Sequence, residues 1–152
     1  YGNGGGGGGG GGGNMALNRP ATGSTPCNST ETPDKAVNGS VSGGTSDKFC
    51  STDATKFLQV DLGSSMHLSH LTIRHAGAGG EFNGWDTQDF DLQVSTDGSN
   101  FTTVAQVRGN TADVTDTAVN ATGRFVRLNI LQAEQGSGSA GAARIYELEV
   151  FG

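Results

Sequence analysis

Two pairs of carboxylates in this chain have spacings at which acid/base catalysis must be considered. Glu81 and Asp86 share a glycine-rich stretch, and Asp89 and Asp91 stand on either side of Phe90. Hydrolysis of a glycosidic bond uses two such carboxyl groups, one of them with a raised pKa. Asp89 and Asp91 alternate with apolar residues, which is typical of the solvated face of a strand. The stretch 81–86 shows no apolar burial that would raise a pKa, so these residues favour a protein that is not an enzyme.

Cys27 and Cys50 are the only cysteines, and they bracket most of a long stretch without strand signals. Zinc needs more soft ligands than two distant thiolates, and the chain has no C-x-x-C pair, which disfavours a zinc site. We therefore predict a disulfide between them. Closing a loop of this length stabilises the folded state by roughly 3 kcal/mol in the chain-entropy model. A structural disulfide is typical of an oxidising compartment, so we expect a secreted, extracellular protein.

Helical periodicity is nearly absent, whereas short segments of alternating apolar and polar residues recur along the chain. In the clearest of them, Phe90, Leu92 and Val94 face one way. The predicted strands are 57–62, 71–73, 89–95, 101–107, 113–119, 125–131 and 144–151. Short strands with frequent turns predict an all-β antiparallel sandwich or barrel. Two long stretches, 21–54 and 76–87, are left as loops, and loops of that length are usually functional or fixed by other contacts.

The distribution of glycine residues and of charge indicates how the chain is organised into domains. Of the 27 glycines, 11 fall in the first 13 residues, which predicts a flexible linker at 1–14 and one folded domain at 15–152. We expect a further domain before this linker, since no signal peptide precedes it. The domain carries the whole net charge of −6 and has no basic patch. That charge argues against nucleic acid and anionic membranes as partners, and no apolar run has the length of a membrane span.

Six short motifs follow one another from residue 15 to the end of the chain. Lys35-Ala-Val-Asn-Gly is similar to a K-A-x-D-G turn, and Phe57-Leu-Gln-Val-Asp-Leu-Gly to a W-(L/I)-x-(V/I)-D-L-G strand. Ile145-Tyr-Glu-Leu-Glu-Val-Phe-Gly is similar to (I/L)-x-E-(I/L)-x-V-(Y/F)-G. The other motifs occupy 15–22, 89–101 and 124–128. In this order they resemble the motifs of discoidin domains, also called coagulation factor 5/8 type C domains.

The resemblance implies a galactose-binding-like jelly roll, an antiparallel β-sandwich of the discoidin type. Acidic, secreted members attached through linkers resemble family 32 carbohydrate-binding modules, which are non-catalytic accessories of bacterial glycoside hydrolases, lyases and sialidases. Such a module would hold an attached enzyme on a galactan, a glucan or an amino-sugar polymer. The expected partners are a polysaccharide or oligosaccharide and a catalytic domain of the same chain, with the module itself a monomer. The alternative is a discoidin-type adhesion domain that binds a protein or cell-surface partner.

Members of this family usually carry one structural calcium near the K-A-x-D-G turn. Calcium takes six to eight oxygen ligands, a mixture of carboxylates and carbonyls. The matching positions are Asn38, Glu147 and the backbone carbonyls around Lys35 and Ser40. Asn38 stands where the family has an aspartate, and Asp47 stands where it has a threonine, so we expect Asp47 to restore the lost charge. The resemblance therefore implies a calcium site that ties the first long loop to the last strand.

Sugar binding in this family uses a basic residue at a strand end and an asparagine in the following loop, and an aromatic ring can pack on the apolar face of the sugar. The candidate set is Glu31, Arg74, His75, Glu81, Asn83 and Trp85. Trp85, the single tryptophan, is as compatible with a core position as with a binding surface. Phe49-Cys50 stands where galactose-binding members have Trp-His, so plain galactose specificity is not expected.

Overall fold

The computed structural model describes residues 13–138 and 140–152. The linker predicted at 1–14 lies outside these residues except for its last two positions. The strands are β1 (Ala21–Gly23), β2 (Phe49–Ser51), β3 (Lys56–Arg74), β4 (Asp89–Ser95), β5 (Thr102–Val107), β6 (Val114–Gln132), β7 (Ala143–Ile145) and β8 (Glu147–Phe151). Short 3₁₀ helices occupy Pro33–Val37, Ala76–Gly79 and Asn83–Trp85. None of the helices in the described ranges has the length and apolar character to cross a membrane.

The larger sheet has the strand order β1-β3-β6-β4-β5, with β8 pairing with the second half of β3. Strands β2 and β7 form a separate two-stranded sheet. All of these pairings are antiparallel. Apolar side chains from both sheets are buried in one core that includes Phe49, Leu58, Phe90, Leu92, Leu128, Ile145 and Leu148. The prediction of an all-β antiparallel sandwich is confirmed.

Strands β3 and β6 form the framework of the fold, since they pair with each other along most of their lengths. Register shifts interrupt the pairing between Asp61 and Met66 and again between Leu68 and His70. A one-residue shift moves the following side chains to the opposite face of a strand. The buried residues of β3 accordingly change from even to odd numbers along the strand: Leu58, Val60, Leu62 and Leu68, then Leu71 and Ile73.

The predicted strands differ from the observed ones mainly where two predicted segments belong to one strand. The segments 57–62 and 71–73 are parts of β3, and 113–119 and 125–131 are parts of β6. The polar residues between them suggest turns, but in the structure they remain part of one strand whose pairing is interrupted by register shifts. At Gly123 an added Cβ would lie 2.1 Å from Val94 Cγ1, so this glycine permits close packing within a continuous strand.

The two cysteines form the predicted disulfide, Cys27–Cys50. Beside it, Pro26 and Ser51 form an isolated β-bridge. The Cys50 N–H also donates to the Glu31 carbonyl at 3.1 Å. The loop that carries Glu31 is therefore held against the two-stranded sheet by covalent and backbone contacts.

Candidate functional site

Four side chains from distant segments meet where the long loops come together. Glu31 belongs to the first long loop, Lys48 precedes β2, Glu81 belongs to the loop between β3 and β4, and Tyr146 separates β7 from β8. Ion pairs and a hydrogen bond connect them, and we call these four residues the lysine cluster. The structure thus brings together Glu31 and Glu81, two of the predicted site residues.

Lys48 lies at the centre of the lysine cluster. Its Nζ is 2.5 Å from Glu31 Oε2 and 3.2 Å from Glu81 Oε1, and it also donates to the Thr45 carbonyl. The Tyr146 hydroxyl donates to Glu81 Oε1 at 2.8 Å. The ammonium nitrogen lies 5.8 Å from the centre of the Tyr146 ring. Lys48 therefore donates hydrogen bonds to Glu31 and Thr45 and forms an ion pair with Glu81, and these contacts hold both glutamates in place.

The charged side chains of the lysine cluster are nearly buried, so the fold depends on their ion pairs. The side chains of Lys48, Glu81 and Glu31 are 5%, 10% and 12% exposed. Charges removed from water to this extent are stable only when they are paired. Burial, followed by the neighbouring Glu81 carboxylate, raises the pKa of Tyr146, so its hydroxyl remains a donor. With two carboxylates and one ammonium, the lysine cluster has one net negative charge and presents hydrogen-bond acceptors.

Phe82 and Trp85 lie at the surface next to the lysine cluster. Phe82 is 63% exposed and Trp85 is 36% exposed. Their rings meet edge to face with centroids 5.6 Å apart. The Arg144 guanidinium lies 4.1 Å from the centre of the Trp85 ring and is held by Glu134 at 2.6 Å. We call Phe82, Trp85 and Arg144 the aromatic patch, and the structure places Trp85 on the surface rather than in the core.

The aromatic patch and the lysine cluster share their supporting segments. Glu81 directly precedes Phe82, and Arg144 lies opposite Cys50 in the β2–β7 ladder. The backbone N–H of Gln135 donates to the Gly84 carbonyl at 3.0 Å, so the loop after β6 supports the aromatic loop. Exposed rings beside fixed acceptors suit a ligand that has one apolar side and one side rich in hydrogen-bond donors.

Of the remaining predicted contacts, only Asn83 is exposed beside the aromatic patch. The prediction that His75 contacts a ligand is wrong, because its ring is fully buried and packs against Phe90. Burial lowers the pKa of His75 to about 4, so the ring is neutral, and its Nε2 lies 3.0 Å from Thr115 Oγ1. Arg74 is directed to Glu149 of β8, with Nε 3.0 Å from Oε2.

Four residues of the site are missing from the predicted set: Lys48, Phe82, Arg144 and Tyr146. Arg144 precedes the buried Ile145 in β7, and alternation places it on the side of the strand opposite the core. That pattern was the available signal for Arg144. Tyr146 is fully buried, so alternation gives no signal that its hydroxyl belongs to the site. Lys48 carries no such signal, because its inward direction depends on two glutamates from other segments.

The residues predicted for calcium lie close together between the first long loop and β8. Asn38 Nδ2 donates to Asp47 Oδ1 at 2.6 Å, and the Ser40 N–H donates to Asn38 Oδ1 at 3.0 Å. The Gly39 N–H donates to Glu147 Oε2 at 3.0 Å. Burial acts to raise the pKa of Asp47, but hydrogen bonds led by that of Asn38 outweigh it and lower the value, with a smaller contribution from the charge of Lys35.

Glu147 provides the test of whether these residues fit a metal ion. Its side chain is 1% exposed, and its Oε1 has no hydrogen-bond partner. Burial raises the pKa of Glu147 to about 8. Buried polar atoms are nearly always partnered, and a hard cation between carboxylate and amide oxygens would satisfy this one. The donor set at Asn38, Asp47 and Glu147 therefore fits calcium.

A second group of metal-binding residue types, Cys27, Glu31 and Cys50, also lies close together. Both sulfurs belong to the disulfide. Thiolate is the form in which cysteine binds metals, so this group is not a metal site.

The structure resembles solved carbohydrate-binding modules. A family 32 carbohydrate-binding module from Streptococcus pneumoniae EndoD has 27% sequence identity and a TM-score of 0.76, covering 91% of this chain and 98% of that chain. Chitosan-binding module 2 from a Paenibacillus sp. IK-5 chitosanase/glucanase, solved with chitotriose, has 23% identity and a TM-score of 0.71, covering 91% and 100%. CpGH89CBM32-5 from Clostridium perfringens, solved with GalNAc-β-1,3-galactose, has 18% identity and a TM-score of 0.71, covering 89% and 96%. A search of curated proteins found no significant match.

The family comparison agrees with the motifs. The model of the F5/8 type C domain matches residues 20–148, which include the lysine cluster, the aromatic patch and the calcium candidates. That range is most of the chain and spans strands β1 to β7. The chain therefore belongs to the F5/8 type C, or discoidin, domain family.

Proposed function

We propose that this chain is a non-catalytic carbohydrate-binding module that holds its sugar between the aromatic patch and the lysine cluster. The observation that carries the proposal is that the exposed Phe82–Trp85 pair lies in the same loop as Glu81, whose carboxylate pairs with Lys48 together with that of Glu31. The Trp85 ring offers an apolar surface to the C–H face of a pyranose. The carboxylates accept hydrogen bonds from donors at the edge of the same sugar. Family membership and the likeness to the EndoD module support this function.

The charge of the lysine cluster allows the three candidate ligands, a galactan, a glucan and an amino-sugar polymer, to be ranked. The lysine cluster has one net negative charge, and Lys48 is engaged within the protein by Glu31, Glu81 and the Thr45 carbonyl. The lysine cluster therefore interacts with a ligand as a hydrogen-bond acceptor. Hydroxyls of a neutral sugar satisfy this, and the ammonium of an amino sugar adds a favourable Coulomb term. We therefore place an amino-sugar polymer first among the candidate ligands.

A glycan array followed by calorimetric titration tests the function. The titrants are chitotriose, a galactan oligosaccharide and a glucan oligosaccharide, and we expect at least one to bind. Since the site is shallow, its Kd is expected to lie between about 10 μM and 1 mM, roughly −7 to −4 kcal/mol. Binding to no glycan at millimolar concentration would contradict the proposal. Capture of a protein partner by the same surface would instead favour adhesion.

We further propose that the module is a secreted monomer that targets an attached polysaccharide-degrading enzyme to its glycan. The Cys27–Cys50 disulfide supports secretion, because structural disulfides persist in oxidising compartments. The glycine-rich composition of 1–14 supports attachment, since sequences of this composition commonly link domains. A tether of this kind raises the local concentration of an attached domain at the glycan surface.

We also propose that Asn38, Asp47 and Glu147, with carbonyls near Lys35 and Ser40, hold a structural calcium. Calcium would supply a positive charge for the buried Glu147 carboxylate and link the first long loop to β8. The unpartnered Oε1 of Glu147 supports this assignment.

Removal of calcium is expected to lower the Tm of the module. Calcium at 100 times its Kd stabilises the folded state by about 2.7 kcal/mol, or roughly 10 °C for a domain of this size. Without the metal, the raised pKa of Glu147 means that its contribution to stability is lost as the pH rises through about 8. The effect of calcium should therefore grow between pH 6 and pH 9.

Scanning calorimetry in calcium and in EDTA measures this effect. Glu147→Gln should lose the response to calcium, whereas Glu149→Gln, two residues along the same strand, should keep it. An unchanged Tm after chelation at both pH values would rule out the calcium site.

A further inference from the structure

Asp86 joins the two ends of the loop 76–86, which we call the binding loop because it carries Glu81, Phe82 and Trp85. The Asp86 side chain is fully buried, contrary to the expectation that this stretch has no burial. Its Oδ1 accepts from the Gly77 N–H at 2.8 Å, near the start of the binding loop. Its backbone carbonyl accepts from Gln135 Nε2 at 2.8 Å. The side chain therefore holds the base of the loop that presents the aromatic patch.

The other carboxyl oxygen of Asp86 has no protein donor. Asp86 Oδ2 is buried and has no hydrogen-bond donor among the described residues, while the carboxyl group of Asp113, the residue before β6, lies close to that of Asp86. The binding loop packs closely on this second carboxyl: an added Cβ at Gly77 would lie 2.0 Å from Asp113 Oδ1. Two ionised carboxylates repel each other and have no proton with which to bond. One proton shared between them removes the repulsion and gives Asp86 Oδ2 a partner.

Within 13–138 and 140–152, the groups that contact this pair supply no compensating positive charge. From the end of β3, His75 is buried and neutral, and its backbone N–H donates to the Asp113 carbonyl at 2.8 Å. The loops after β5 and β6 contribute the uncharged amides of Asn110 and Gln135. Burial, followed by the Asp113 carboxyl group, raises the pKa of Asp86 to about 7. Asp113 is exposed.

We propose that Asp86 is a positioning residue, and that the proton it shares with Asp113 holds the binding loop in the conformation that binds glycan. Loss of this proton leaves two charges in contact between the binding loop and β6, and the loop loses the support that orients Trp85. The consequence for affinity rests on the proposed function, whereas the shared proton does not.

The shared proton predicts that both the stability of the module and its affinity for glycan depend on pH. When folding raises the pKa of a carboxyl group, that group stabilises the folded state fully at a pH below its pKa in the unfolded chain, which is near 4. The stabilisation is lost as the pH rises through its pKa in the folded state. The contribution of Asp86 to stability therefore declines between about pH 4 and pH 7 and is constant above that range. If glycan binding requires the proton, the affinity for glycan falls as the pH rises through the pKa of Asp86 in the folded state. For a midpoint of pH 7, the fall is about tenfold between pH 6 and pH 8.

Asp86→Asn tests both effects, because the amide keeps an acceptor for Gly77 and places a permanent N–H donor toward Asp113. Asp89→Asn is the matched control, since Asp89 lies three residues away and accepts only from the Gly109 N–H in the contacts described. We expect the glycan affinity of the wild type and of Asp89→Asn to fall about tenfold from pH 6 to pH 8. With a neutral galactan or glucan oligosaccharide, which does not itself titrate in this range, the affinity of Asp86→Asn should stay constant. The Tm of Asp86→Asn relative to the wild type should rise between pH 4 and pH 7 and then level off.

The Tm comparison keeps the shared proton testable without any glycan. If no glycan binds at any pH, the proposed function fails, but the difference in Tm still decides whether the proton is present. Parallel Tm profiles of the wild type and Asp86→Asn would overturn the shared proton. A pH-dependent Tm difference with equal pH profiles of affinity would overturn the positioning role.

Discussion

Replacement of Trp85 by alanine is expected to weaken glycan binding by at least about 30-fold and to leave the Tm nearly unchanged. An aromatic anchor at the centre of a binding site typically costs 2 kcal/mol or more when truncated, and each 1.4 kcal/mol is about tenfold in Kd. Trp85 is partly exposed and packs on Phe82 and Arg144 rather than on the core. Its removal therefore opens no large cavity. Titration calorimetry and thermal unfolding of the same sample measure the two quantities.

Phe151→Ala provides the matched control. Phe151 stacks on His70 with ring centroids 4.5 Å apart, at the end of β8 away from Tyr146. This variant removes an aromatic ring without touching the aromatic patch, so its affinity for glycan should equal that of the wild type. If Trp85→Ala bound as tightly as the wild type, the aromatic patch would not be the binding site.

Strand positions could be predicted because alternation along the chain reports which face is buried. Strand β4 has the predicted bounds, and its buried residues are the predicted Phe90, Leu92 and Val94. The disulfide was also predictable, since the chain has only two cysteines and no further thiolates for a metal site. The order of the family motifs then indicated how the strands assemble into a sandwich.

The directions of loop side chains could not be predicted, because they depend on contacts between segments far apart in sequence. Alternation places Glu147 on the solvated face of β8, yet the first long loop covers it through Gly39. Trp85 stands in a polar loop and is exposed, whereas the neighbouring Asp86 is buried by the loop's own closure. No local pattern separates these cases.

Lys48→Met is expected to destabilise the module by about 3–5 kcal/mol, the usual cost of removing one partner from a buried ion pair. Lys48 forms ion pairs with both Glu31 and Glu81, and its loss leaves two nearly buried carboxylates next to Tyr146 without a positive charge. Domains of this size have total stabilities of about 5–15 kcal/mol, so urea unfolding should show a large shift. Glycan binding should also be lost, because the two carboxylates no longer have fixed positions.

The triple variant Lys48→Met, Glu31→Gln, Glu81→Gln separates stability from recognition. Its side chains are uncharged, so no buried charge remains unpaired, and most of the lost stability should return. Binding should not return, because the carboxylates that accept from the sugar are absent. A single Lys48→Met variant as stable as the wild type would show that the lysine cluster is solvated and makes little contribution to the fold. Recovery of glycan affinity in the triple variant would mean that recognition depends on the aromatic patch alone.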